Sequence, residues 1–180
     1  MGIKGIGQLR DLRQKLQEAQ SPGPGGLKHR MLAAASQAAL AQVQLGFRTS
    51  TAPDGTPWAP LKVRAGKPLR DTGRLANSFS ARPSGSGFVV GSNVDDRILV
   101  THQEGRTIRP VNAKRLRFPI PGAIGKRGRR GPVSYAFAKQ VTVPARPMVP
   151  SNGELPPKWR EACDRAADRA MQNFFRKTPK

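Results

Sequence analysis

The chain is 180 residues long and 37% hydrophobic, with 17 prolines and 19 glycines, which suits one domain with a modest core and long connections between elements. Lys and Arg outnumber Asp and Glu 32 to 11, a formal net charge of +21, so the free protein repels its own copies and attracts polyanions. A single cysteine, Cys163, excludes an internal disulfide and a Cys-rich zinc cluster.

Residues 7–20 (GQLRDLRQKLQEAQ) place Leu9, Leu12 and Leu16 three and four apart, which predicts a short one-sided helix. SPGPGG at 21–26 ends it. From 27 to 47 Leu32, Ala35, Ala39, Val43 and Phe47 recur on one face of a second, longer helix with no internal Gly or Pro until Gly46. Its alanines either let another backbone approach closely or serve as plain helix filler. After PDGTPWAPL at 53–61 the chain reads as short pieces. Asp71 or Thr72 can cap a brief helix over 74–78 by accepting a first-turn N–H. Residues 79–82 and 88–91, separated by PSGSG, predict a β-hairpin, and 97–103 (RILVTHQ) a further strand.

Residues 105–132 form a glycine-, proline- and arginine-rich excursion in which only 116–120 resembles a strand. Eleven of the basic residues and no acid fall between 105 and 153, more than half of the net charge. Strand-like alternation returns at 133–143, and PARPMVPSNG is a proline-stiffened exit. The last element, from about 154 to 175, sets Leu155, Trp159, Cys163, Ala166, Ala170 and Phe174 on one side of an amphipathic helix, with Arg160, Arg165 and Arg169 elsewhere. Packing inside the protein is the expected use of that face, ahead of a membrane surface.

The expected fold is α+β: a small antiparallel sheet against the long helix of the N-terminal half and the C-terminal amphipathic helix, with a long basic arm. As one domain it divides into an N-terminal helix and linker (1–26), helix and first strands (27–104), basic excursion (105–132), strand and proline-rich exit (133–153) and C-terminal helix (154–180). There is no run of about 18 apolar residues to cross a bilayer, and the start, MGIKGIGQLRDL, lacks the apolar core of a secretion signal. A protein assembled in the cytoplasm is expected.

Catalytic groups do not assemble convincingly in this pattern. Asp71-Thr72-Gly73 is the tripeptide of aspartic proteases, whose paired aspartates share one proton. Here it follows a polar stretch and lies between Arg70 and Arg74, which suits a cap or an Arg-paired turn better; a protease is the remote alternative. His102, beside Gln103 and Glu104, reads as a hydrogen-bonded strand-end residue, and His29 is the only other histidine. Two histidines and one cysteine do not make an ordinary zinc site. GAIGKRGRRG at 122–131 lacks the order of a phosphate-binding loop. No cofactor is expected.

The basic residues Arg106, Arg109, Lys114, Arg115, Arg117, Lys126, Arg127, Arg129 and Arg130 are candidates for a subunit interface or a DNA channel. Backbone contacts by such residues give affinity without sequence reading. Aromatics are 6%, too few for a stacking platform; Tyr135 and Phe137 sit near the basic loop, and core packing explains them at least as well as stacking. A non-specific nucleic-acid-binding protein is the alternative function.

Taken in order, PDGTPWAPL, LRDTGRLANSF at 69–79, Val90-Gly91-Ser92, His102-Gln103-x-Gly105 and PARPMVP at 144–150 resemble the phage virion morphogenesis family, the tail-completion or neck proteins of tailed bacteriophages. The likeness covers roughly 40–150. The family pattern falls on Pro53, Asp54, Gly55, Trp58, Pro60, Leu61, Leu69, Thr72, Gly73, Leu75 and Ser78, and its Pro-Ala-Arg-Pro on Pro144, Ala145, Arg146 and Pro147. Two positions depart: Ile98-Leu99 replaces an aromatic-Ala pair, and Met148 stands where an aromatic is usual. The resemblance implies a small α+β structural subunit with no reaction of its own. It implies a homo-oligomeric ring, expected six-fold, at the neck or tail end of the virion. Its partners would be head connector or portal-side proteins and tail tube or terminator proteins, with passive contact to genomic DNA.

Overall fold

In the computed structural model, residues 5–62, 66–119, 135–151 and 153–176 are described. They contain the helices α1 (Gly5–Gln20), α2 (Leu27–Thr49), α3 (Asp96–Glu104) and α4 (Pro157–Arg176). The strands are β1 (Phe79–Ser84), β2 (Gly87–Ser92), β3 (Arg106–Ile108), β4 (Leu116–Pro119), β5 (Tyr135–Ala138) and β6 (Val141–Val143). The fold is α+β, as expected. The strands pair as three separate two-stranded antiparallel ribbons, β1 with β2, β3 with β6 and β4 with β5, rather than as one sheet.

Two compact units divide the chain: Met1–Gln44 with Phe79–Ser92 and Glu154–Lys180, and Leu45–Ser78 with Asn93–Gly153. Helix α2 contributes to both. In the first unit Ala35 and Ala39 of α2 and Cys163 of α4 form a buried cluster against which Phe88, Val90 and Leu155 pack. The small side chains allow that closeness, for the Cys163 thiol donates to the Ala35 carbonyl at 3.4 Å. Trp159 and Phe174 of α4 are also buried, and the Arg30 guanidinium lies 5.3 Å from the centre of the Phe174 ring. The amphipathic face is thus spent on internal packing, while Glu161 and Arg165 pair across one exposed turn at 3.3 Å. Pro157 opens α4, where its missing N–H has no intrahelical partner to lose. Helix α1 forms as predicted, but Leu12 and Leu16 remain half exposed.

The β1–β2 hairpin is longer than its sequence signal, with Pro83 opposite Phe88 and Ser84 opposite Gly87. A two-stranded ribbon has only edge strands, so a proline within it need not break a ladder bond.

In the second unit the predicted strand at 97–103 is a helix, α3. The Asp95 carboxylate accepts the Arg97 N–H at 2.8 Å and nucleates the first turn. Gly105 stops it at φ 76° and ψ 157°, a conformation open essentially to glycine alone. The strand-favouring run Ile98 to Thr101, β-branched but for Leu99, was outweighed by the signals at its ends. Residues 105–119 of the basic excursion are described and carry two strands, and 120–132 lie outside the described residues. Arg106–Ile108 pairs with Val141–Val143, and Leu116–Pro119 with Tyr135–Ala138. What reads as one strand at 133–143 is two, parted at Lys139 and Gln140.

Candidate functional site

Pro53, Asp54 and Gly55 form a tight turn. The Asp54 carboxylate accepts the Thr56 N–H at 2.9 Å, a bond that holds its pKa below the usual aspartate value, and Gly55 takes φ 92°. The turn delivers Trp58 into the unit's interior. Its ring meets Phe47 edge-on at 5.5 Å and 75°, and its indole N–H donates to the Pro147 carbonyl at 2.9 Å.

Arg146 fastens the same two segments from the other direction. Only 6% exposed, it donates from Nε to the Ala59 carbonyl at 2.9 Å and from Nη2 to the Pro60 carbonyl at 3.3 Å. Its own N–H donates to the His102 carbonyl at 2.7 Å. Burial lowers the Arg146 pKa, but a guanidinium is so strong a base that the cation persists. Next to it Gln103 mimics a strand: its Oε1 accepts the Met148 and Val149 N–H groups at 2.9 and 3.4 Å, and its Nε2 donates to the Val149 carbonyl at 2.6 Å. The His-Gln-x-Gly and Pro-Ala-Arg-Pro motifs, distant in sequence, are one junction. Met148, in place of the usual aromatic, is buried at 4% exposure.

Beside this junction opens a cleft of about 370 Å³. Leu61, Leu69, Leu75, Val94 and Ile98 give its apolar lining, and Asp71, Thr72, Gly73, Arg74, Asp95, His102 and Arg146 its polar positions. The resemblance motif residues Leu61, Leu69, Thr72, Gly73, Leu75 and Arg146 therefore converge on one place. Thr72 Oγ1 accepts the Arg74 N–H at 3.3 Å, and Ser78 Oγ donates to the Leu75 carbonyl at 2.7 Å, shaping the short 3-10 turn Ala76–Ser78. Asp71 and Asp95 both line the cleft as exposed residues, unlike the shielded, proton-sharing pair of an aspartic protease. His102 is not a strand-end residue but sits on α3. Its Nδ1 is buried without a hydrogen-bond partner among the described residues. Burial, then the charge of Arg146, pushes the imidazole pKa below its ordinary 6.5. His29 belongs to the other unit. Among the described residues no group of three or more His, Cys, Asp or Glu gathers as a metal site.

The described basic candidates lie on or near the ribbons. Arg106 is on β3, Arg109 donates from Nε to Gln140 Oε1 at 3.3 Å, and Lys114 and Arg115 are exposed just before β4. Lys126, Arg127, Arg129 and Arg130 lie outside the described residues. The β4–β5 ribbon has two faces. Leu116, Phe118, Ala136 and Ala138 are half-buried on one, whereas Arg117, Tyr135 and Phe137 are exposed on the other. The Arg117 guanidinium sits 4.4 Å from the centre of the Tyr135 ring, a cation–π distance. Tyr135 at 42% and Phe137 at 59% exposure do not fill a core, contrary to the expectation; strand alternation turns them outward. Sequence reasoning missed Gln103 and Ile98 as site-building residues, although both lie in or next to quoted motifs.

Compared with known protein families, residues 8–155 match the phage virion morphogenesis family. The chain belongs to that family, and its role is in building the phage particle. The match extends beyond the motif-bearing 40–150 to include α1. No curated protein and no solved structure matches the chain. No described helix is long and apolar enough to cross a membrane.

Proposed function

We propose that the chain is a structural subunit of the phage neck or head-tail junction. As a tail-completion or tail-terminator protein, it forms a ring, six-fold by the family likeness, that joins the head connector to the tail and surrounds the DNA path. The observation that carries this reading is the ribbon of the acid-free segment. Arg117, Tyr135 and Phe137 face outward there beside Lys114 and Arg115, a composition typical of protein interfaces. On this reading no catalytic step is needed: Thr72 and Asp95 make turn and cap bonds in the cleft, and Arg146 ties two backbone segments together. The partners on this reading are connector or portal-side proteins on one side and tail tube or terminator proteins on the other, with genomic DNA passing through.

Deleting the gene from the phage and imaging the lysate by electron microscopy tests the reading. DNA-filled heads and separate tails are the expected products. Fully joined particles, or heads that never fill, would refute it. The net charge of +21 favours a second reading, non-specific nucleic-acid binding. It requires tight binding of duplex DNA at low salt and a steep loss as salt rises.

A further inference from the structure

We infer that the exposed face of the β4–β5 ribbon docks into the cleft beside Arg146 on a second copy of this chain. The inference rests on the ring reading and names the contact that would close it.

Both halves of the contact are present on every copy. The donor is a ridge on which Phe137 lies opposite Arg117 in register, with Tyr135 two residues away on the same face. Phe137 and Tyr135 are large apolar side chains turned to water, and exposed aromatics grouped with an arginine are the composition of an interface centre. The acceptor is the cleft of about 370 Å³ with Leu61, Leu69, Leu75, Val94 and Ile98 in its lining. Ile98 is 48% exposed at that lining. No residue of β4 or β5 lines the cleft within the same chain, so the chain does not fill its own cleft with its own ridge.

Charge selects the same occupant. The ribbon and its approach carry Lys114, Arg115 and Arg117, in a segment with no acid from 105 to 153. The exposed charged residues of the cleft are Asp71 and Asp95 against Arg74. In a protein of net charge +21, most ways of bringing two copies together set base against base. This one sets a basic ridge against a cleft whose two exposed carboxylates offset Arg74 and the buried Arg146, and so relieves the repulsion locally. Donor and acceptor differ, so the contact is head-to-tail, the type that generates rings when the rotation closes. A cleft of this size takes side chains rather than a nucleic-acid duplex.

Disulfide trapping and sedimentation together test the contact. The double variant Phe137→Cys with Ile98→Cys, oxidised at micromolar concentration, is expected to give a ladder of linked multimers on a non-reducing gel. Neither single variant should give one. The native Cys163 does not interfere because it is buried. Phe137→Ala replaces an exposed side chain and leaves the fold intact; in analytical ultracentrifugation it should weaken self-association at least tenfold, as should Ile98→Lys from the other side. If the wild-type chain assembles while both substitutions leave association unchanged and no ladder forms, this contact is wrong and the ring reading stands. A wild-type chain that stays monomeric at every concentration, with no ladder, overturns both. Loss of duplex DNA binding by Phe137→Ala with self-association intact assigns the ridge to DNA and overturns the inference.

Discussion

Replacing Arg146 by Met keeps most of the unbranched stem and removes every donor of the guanidinium, so it isolates what the hydrogen bonds contribute. Two bonds are lost, to the Ala59 carbonyl at 2.9 Å and the Pro60 carbonyl at 3.3 Å. Bonds from a charged donor contribute about 1.5–3 kcal/mol each, with the longer one at the lower end. Against this, Met removes the cost of holding a cation at 6% exposure, which in comparable replacements offsets part of the loss. The net expectation is a destabilisation of about 2–3 kcal/mol. With a urea slope of about 1–3 kcal/mol per M, the midpoint falls by roughly 0.7–3 M. Trp58 is the natural reporter because its indole bonds to the Pro147 carbonyl, one residue from the change. In a Trp159→Phe background the emission follows the second unit alone, which matters where two compact units need not unfold together. Arg146→Lys should recover less than half of the loss, since an ammonium lacks the fork that reaches two carbonyls. A midpoint shift below about 0.3 M for Arg146→Met would refute the view that Arg146 ties the Pro-Ala-Arg-Pro segment to the Trp-Ala-Pro segment.

Gly105→Ala should destabilise the second unit by at least about 2 kcal/mol, because a Cβ there meets the Ala145 nitrogen at 2.7 Å and the Val143 oxygen at 3.0 Å; an unchanged urea midpoint would count against the close approach. The lowered His102 pKa means that the unfolded chain takes up a proton more readily than the folded one. Stability is therefore full above the ordinary imidazole value of 6.5 and falls as the pH drops below it toward the folded-state pKa. Urea midpoints at pH 7.5 and pH 5, with His102→Gln as the variant that flattens the difference, check this. Burial and then Asp164 push the Cys163 thiol pKa up. With 4% exposure, the thiol should react with a disulfide reagent about a hundredfold slower in the native protein than in urea, and equal rates would contradict the α2–α4 packing.

Much of the fold was legible because local signals agreed with one another. Ala35, Ala39, Val43 and Phe47 repeat every four residues, and all four are buried on α2. Trp159, Cys163 and Phe174, four and eleven residues apart, fall on one side of α4 and are buried. The hairpin at 79–92 followed from two short apolar runs around a glycine-rich turn. Where local signals conflicted, the reading failed. Ile98 to Thr101 has strand propensity, but the Asp95 cap and Gly105 stop bracket it as a helix, and capping settles the state of so short a segment. Leu116–Pro119 and Tyr135–Ala138 are each four residues long, too short for alternation alone to tell an outward face from a buried one.

The candidate site was legible only as separate motifs. Pro-Asp-Gly, Leu-x-x-Thr-Gly-x-Leu, His-Gln-x-Gly and Pro-Ala-Arg-Pro could each be seen, as could the family they resemble, because tight turns and caps need particular residues at particular spacings. The charge and its concentration between 105 and 153 were likewise fixed by composition. That Gln103 bonds to the backbone at Met148 and Val149, that Arg146 reaches Ala59 and Pro60, and that Asp71 and Ile98 share one cleft was decided only in three dimensions. A local bond is constrained by the few dihedrals between its partners, so sequence spacing can encode it. A bond across more than forty residues depends on how every intervening element packs, and no single segment carries that information.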